Sequence, residues 1–305
     1  MPAPGAPASR RLKLTDRQAS ASRLLASAAK HSYDPLVDID WDAALPADKY
    51  GLPPEWSSLY GTPLWEQLDE ASRIRLTLHE VCSISGVGIW FEVILMQLVL
   101  RDIYDQDPAD PHVQWALTEI GDETRHSVMF ARMAQKYGVP SYGPRRRAHE
   151  LGRFFKTFGH GPSRYAAILV AEEILDILQR ELIDDDRVQP LSRIVSKIHV
   201  VEEARHMRFA REEIARRVAR MNRLQRAEQR HVVGVVAKVI TSSLIHPDAY
   251  AAVGLDPAAG RRAARWNAHY GDKLRTSAVG LTSFLTEAGL IGGRSAALWR
   301  EARLL

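Results

Sequence analysis

The sequence predicts an all-α fold: a four-helix bundle with additional C-terminal helices and an irregular N-terminal arm. Three observations predict it. No run alternates apolar and polar residues as a half-buried strand would. Apolar residues recur at helical spacing in long segments, opened by N-cap and N1 pairs such as Asp110-Pro111 and closed by stops such as Tyr137-Gly138. Two of these helical segments carry the same charged pattern, one 80 residues behind the other.

The elements follow in order. Residues 1–30 read as a flexible N-terminal tail, with 1–13 rich in Pro, Ala, Gly and Arg and a short helix over 17–30. Residues 31–63 form an irregular arm rich in Pro, Asp and Trp, whose aromatics predict packing over the bundle. Thr62-Pro63 opens a helical pattern that runs to 103, with a break expected at 83–88. Asp110-Pro111 starts a second helix. Residues 145–158 suit a connecting helix; Gly161-Pro162 starts the third core helix, to 183, and Pro190 the fourth, to 221. A fifth helix over 225–245 and segments near 258–270 and 276–288 lie behind it, so that 64–305 reads as one domain.

Composition narrows the function. At 305 residues and 46% hydrophobic, the chain can bury a full core. Its net charge of +4 is spread over short clusters (Arg145 to Arg147, Arg216-Arg217, Arg261-Arg262), which reads as a solvated exterior and not a nucleic-acid face. A single cysteine, Cys82, rules out a disulfide framework, a Cys-ligated zinc and an iron–sulfur cluster, and fits a reducing cytoplasm. The longest apolar run, 87–100, is interrupted by Glu92 and Gln97 and is too short for a bilayer, so no membrane association is expected. No secretory h-region follows the first Met, and no G-x-G-x-x-G or P-loop marks a nucleotide or flavin site.

The chemistry starts at His199-Val-Val-Glu-Glu-Ala-Arg-His206. On a helix, His199, Glu203 and His206 fall at i, i+4 and i+7, on one face amid Ile194, Val195, Ile198 and Phe209. Two imidazoles and a carboxylate on a partly apolar stripe suit a metal; a solvated His/Glu pair is the alternative. Asp122-Glu-Thr-Arg-His126 repeats Glu202-Glu-Ala-Arg-His206. E-x-x-H alone is weak, since about one chance match is expected among so many histidines. Indeed Glu228-Gln-Arg-His231 is a third copy.

Upstream carboxylates separate the copies. Glu92 and Glu172 each sit in an apolar run, 31 residues before Glu123 and Glu203 respectively, with a turn-like segment between. Two antiparallel helices joined halfway bring such residues level, so each half offers a Glu facing an E-x-x-H; His231 has no such partner. Equal spacing selects Glu92 over Glu80. The apolar stripe of Ile168, Leu175 and Leu182 selects Glu172 over Glu173. This is the general arrangement of ferritin-like di-iron and di-manganese carboxylate proteins. Glu92, Glu123, His126, Glu172, Glu203 and His206 form the basic set. His199 is either a seventh ligand or a core histidine bonded to a neighbouring acid. Carboxylate and imidazole without thiolate suit iron or manganese. Asp122, Glu202, Arg125 and Arg205 are expected at the surface; the alternative is that the two acids brace the histidines and the two arginines pair with acids around the ligands.

The combination of Val170-Ala-Glu172, Ile198-His-Val-Val-Glu-Glu-Ala-Arg-His206 and Asp122-Glu-Thr-Arg-His126 resembles the p-aminobenzoate N-oxygenase family. These are non-haem di-iron arylamine oxygenases of antibiotic pathways such as those of aureothin and chloramphenicol, and the resemblance covers roughly 54–206. It implies a ferritin-like di-iron oxygenase domain with two iron ions, and His199 as a ligand. It further implies an external reductase or ferredoxin as electron donor, O2 bound as a peroxo-diiron species, and transfer of oxygen to an aromatic amine towards hydroxylamine and nitro products. A substrate carboxylate would call for Arg275, Arg294 or Tyr165. A homodimer is compatible with the pattern. Rival readings are a di-iron hydroxylase or desaturase of another small substrate, a ferritin-like metal store, and a metal-free bundle.

Overall fold

Four long helices enclose the centre of the molecule, and three of them open on a capping side chain or an N1 proline. The computed structural model describes Leu12 and residues 14–305, so most of the 1–13 stretch of the expected tail lies outside the described residues. Helix α1 (Arg17–Ala28), capped by Asp16, precedes the arm, which contains the short α2 (Pro35–Asp38) and ends in α3 (Pro63–Glu66). Helix α4 (Glu70–Ile103) starts on Asp69, whose side chain accepts from Ser72 N. Helix α5 (Pro111–Tyr137) has Pro at its first turn and stops at Gly138, where φ is +63°, a conformation glycine adopts without penalty. Connecting helix α6 (Arg146–Phe158) leads to α7 (Ser163–Asp184) and α8 (Pro190–Ala219). A capping box between Asn222 and Gln225 opens α9 (Arg223–Thr241). Behind it lie α10 (Asp248–Ala251), α11 (Pro257–Trp266), α12 (Ala268–Ser277), α13 (Val279–Glu287) and α14 (Ala296–Glu301). Among the described residues there is no strand, only one parallel bridge that ties Tyr50 to Val188.

The bundle is a ring: α4 packs on α5 and α7, and α8 packs on the same two. Each hairpin is therefore closed by its own turn, and α5 and α8, which carry the two E-x-x-H motifs, are neighbours. Helix α1 packs on α5 and α8, burying Ala21, Leu24 and Ala28 in the same apolar core as Phe91 and Phe209. The short helix expected in the flexible tail is part of the body: Arg17 reaches Glu213 with two hydrogen bonds of 3.0 and 3.1 Å. The arm packs as expected. Ile39, Leu52 and Trp56 are buried against Val81, Met129 and Leu182, and the Trp56 indole donates to Glu181 at 2.7 Å.

Two expectations are corrected. The break at 83–88 does not occur; α4 runs through it, and the interruption falls between α3 and α4. The small residues there are contact points. A Cβ on Gly86 would lie 1.9 Å from the Tyr142 carbonyl oxygen. The Ser83 hydroxyl donates to Leu244 O at 2.9 Å and accepts from His246 N at 2.7 Å. The segment near 258–270 is two helices, divided at Asn267, whose amide donates to the carbonyls of Ser58 and Tyr60. Although its uninterrupted apolar run is short, α4 as a whole is long and apolar enough by composition to cross a membrane. Over half (56%) of its most apolar window is buried inside the bundle, where it serves as a core helix.

Candidate metal centre

Helical spacing alone puts Glu123 and His126 on one face of α5, and His199, Glu203 and His206 on one face of α8. Those faces meet. Glu92 of α4 and Glu172 of α7 project into the same space, and all seven side chains are buried. Their ligand atoms fall into overlapping groups lying within 4.8 Å of one another: Glu92 with His126 and His199, Glu123 with His126 and Glu203, and Glu172 with His199 and Glu203. A fourth group joins Glu119 to Glu123 and His206.

The two motifs are cross-braced. His126 turns Nε2 to Glu202 Oε2 at 2.7 Å and Nδ1 to Glu203 Oε1 and Glu123 Oε2 at 3.3 and 3.4 Å. His206 turns Nε2 to Asp122 Oδ2 at 3.2 Å and Nδ1 to Glu203 Oε1 and Glu123 Oε1 at 3.0 and 3.3 Å. Each imidazole is thus oriented by the acid that precedes the other motif's glutamate. Because a carboxylate only accepts, each Nε2 holds a proton and each Nδ1 is left facing the two central glutamates. Arg205 lies 3.6 Å from Asp122 and 3.8 Å from Glu202, and Arg125 pairs with Asp122. The expectation that Asp122, Glu202 and Arg205 lie at the surface is corrected: Asp122 and Glu202 are 1% and 0% exposed and Arg205 is buried. The arm covers this side, with Tyr33 N donating to Glu202 Oε1 at 3.0 Å and Arg205 donating to His31 O.

The charges call for cations. Burial, with the nearby Glu123 charge, pushes Glu92 up to about 8, and burial pushes Glu119 up to about 8. Burial, with the charges of Glu203 and Glu123, raises Glu172 well above the carboxylate range. Burial alone would lower both imidazoles. Instead the surrounding carboxylates hold His126 and His206 well above the usual histidine range, and the imidazoles in turn hold Glu203 well below its own. Buried oxygens of Glu172, Glu203 and Glu119 have no hydrogen-bond partner. Octahedral bonds of about 2.1 Å place neighbouring ligand atoms about 3 Å apart, close to the spacing of the Nδ1 atoms from the central carboxylates. A multivalent cation would satisfy the orphaned oxygens and relieve the repulsion, so the residues fit a metal.

His199 meets the same test. Its Nδ1 lies 2.9 Å from Gln179 Oε1, an acceptor, which fixes the proton on that nitrogen. Nε2 then presents a lone pair to Glu172 and Glu203 at 3.7 and 3.8 Å, too far for hydrogen bonds. Burial lowers His199 to about 3, leaving a neutral imidazole suited to ligation.

The residues set aside in the sequence are elsewhere. Glu80 is buried and held through one oxygen, Oε1, by Ser58 N and Oγ at 2.9 and 2.5 Å, while its Oε2 has no partner, and Glu173 pairs with Arg211. Glu228 and His231 are exposed, and Glu228 pairs with His160. Tyr165 donates to Asp102, while Arg275 and Arg294 are exposed. The sequence reading missed Glu119, although the 80-residue shift carries position 199 onto it.

A cavity of about 20 Å³ lies beside His199, lined by Phe130, Leu175, Leu178, Gln179, Leu182 and Ser196 among others. Phe130 packs 5.0 Å from the His199 ring. A larger apolar cavity, about 240 Å³, opens between α4, α6 and α9, and none of its lining residues belongs to the centre.

The bundle and its paired glutamate–histidine motifs define a ferritin-like protein with a carboxylate–histidine centre able to hold metal. The family described as p-aminobenzoate N-oxygenase AurF matches residues 14–289, and the chain belongs to that family of oxygenases. It is also similar to an uncharacterized protein of Mycobacterium bovis and to two of Mycobacterium tuberculosis. Each is 26% identical over 205 residues, or 65% of this chain. The matched region spans 60% of the length of these relatives.

Proposed function

We propose that the centre holds two iron ions and that the protein uses O2 to N-oxygenate an aromatic amine towards hydroxylamine and nitro products. The observation that carries the reading is the convergence of two cross-braced Nδ1 atoms on Glu123 and Glu203 in a member of this oxygenase family. Glu92, Glu123, His126, Glu172, His199, Glu203 and His206 would hold the ions, with manganese as the alternative occupant. When bound, such a pair would activate O2, from which the transferred oxygen would come. The chain's own residues shape the surroundings. Glu202 and Asp122 hold the imidazoles in the ligating tautomer, and Gln179 does the same for His199. Phe130, Leu175, Leu178 and Leu182 exclude water from the approach, which strengthens every charge interaction within. The lone cysteine cannot ligate an iron–sulfur cluster, so electrons would come from a separate reductase or ferredoxin, in the cytoplasm.

One observation favours a second reading. Neither cavity beside α4 is lined by Arg or Lys, so neither offers a partner for a substrate carboxylate. An uncharged arylamine, or hydroxylation of another apolar substrate, suits these walls better than an aminobenzoate anion. The test is iron-loaded protein with reductant, O2 and a panel of charged and neutral arylamines, followed by product analysis. N-oxygenated products are expected, with the neutral amines ahead. Products hydroxylated only on carbon would replace the first reading by the second.

A further inference from the structure

Glu119 stands outside the seven residues assigned above, yet no side chain in the centre is less satisfied. It lies one turn before Glu123 on α5, as His199 lies one turn before Glu203 on α8. It is 0% exposed, and neither carboxylate oxygen has a hydrogen-bond partner. A buried acid kept for structure is bonded, as Glu80 is to Ser58 and as Asp122 and Glu202 are to the two imidazoles. The seven-residue set is also lopsided. Glu92, His126, His199 and Glu172 gather in two groups that share His199, whereas the group at His206 contains only Glu119 and Glu123 besides. Without Glu119, the metal at His206 would have one imidazole and carboxylates shared with the other ion.

We propose that Glu119 is an eighth ligand, a terminal carboxylate on the metal bound by His206 and the positional counterpart of His199. The inference rests on the dinuclear reading above. It adds that the two ions differ in kind: one sits among the extra imidazole, the other is completed by an extra carboxylate. An oxygen-rich position favours a harder ion than a nitrogen-rich one, so the two positions are expected to fill in sequence and to give distinct spectra.

The test uses the full chain, stripped of metal and titrated anaerobically with Co(II), with metal content measured in parallel. Wild type is expected to take up two ions per chain. Glu119→Ala should keep one tight ion and bind the second at least tenfold more weakly, a loss of the size seen even for residues that only support a ligand. Glu119→His is the discriminating variant. It should restore the second ion with a shifted visible Co(II) absorption, because nitrogen replaces oxygen in the coordination sphere. A residue that merely props the helix would give neither rescue nor shift. Should Glu119→Ala disturb folding by circular dichroism, the isosteric Glu119→Gln takes its place with the same expectation. Two ions bound by Glu119→Ala with wild-type affinity and spectrum would overturn this inference alone. A wild type that binds fewer than two ions would overturn the dinuclear reading as well.

Discussion

The hairpins α4–α5 and α7–α8 are two renderings of one plan, and they differ where the plan meets its surroundings. Glu92 and Glu172 occupy matching positions, yet Glu92 accepts a hydrogen bond from the Ser127 hydroxyl, while Glu172 Oε2 has no partner. The position matching Ser127 in the second half is Met207, which cannot donate. One hairpin therefore anchors its lone glutamate and the other leaves it free to re-orient. The arm adds a second asymmetry: it binds Glu202 through the Tyr33 amide and covers Arg205, while Arg125 reaches only Ser32 at the edge. Matching glutamates on unequal supports give the two halves of the centre unequal stiffness.

The largest expected effect breaks both halves together. Glu203→Ala removes a carboxylate shared by both imidazoles, and bound iron should fall from two ions per chain to nearly none by metal analysis. Glu228→Ala, which changes the exposed third copy of the motif, should leave the iron unchanged. Of intermediate size, Asp122→Asn and Glu202→Gln should each weaken metal binding roughly 10- to 100-fold, but at opposite positions. Because the bracing crosses between hairpins, Asp122→Asn should perturb the ion at His206 and Glu202→Gln the ion at His126, read as separate spectral components. Loss at the ion of the same hairpin would refute the crossed arrangement.

The smallest effect concerns pH. Glu92 and Glu119, raised to about 8, hold protons in the folded metal-free protein that the unfolded chain releases above about 4.5. Their contribution is complete below that value and is lost as pH rises to about 8. The raised imidazoles of His126 and His206 act in the same direction; Glu203, held low, opposes them only at acidic pH, and His199, lowered to about 3, opposes them up to about pH 6.5 without outweighing them. The melting temperature of the metal-free protein should therefore fall between pH 5 and 8, by an amount on the order of several degrees. Iron should reverse the slope, since ligation requires the deprotonated groups.

Much of this was legible in the residues. The helical hairpins followed from apolar periodicity and from Asp110-Pro111, Gly161-Pro162 and Pro190. Six of the seven residues that meet were found from the paired motifs and their matched spacing, whereas His199 was singled out as a ligand only by the family resemblance. Glu119 escaped because matching the two motifs by residue type passes over a position where glutamate replaces histidine. Asp122 and Glu202 are rotated off the ligand face by one residue, which in a bare bundle points outward. They are buried because α1 and the arm return over them, a contact between residues far apart in the chain that local pattern does not encode. The small residues around Gly86 carry the same lesson: a cluster that weakens a helix in isolation is also what lets Tyr142 approach it.

The crossed bracing has a consequence for assembly. Neither hairpin can complete its own ligand geometry, since the group that fixes each imidazole arrives on the other half of the chain. On the reading proposed above, tight metal uptake would therefore wait for the docking of both halves, since a lone hairpin carries its ligands but not the group that holds its imidazole in place.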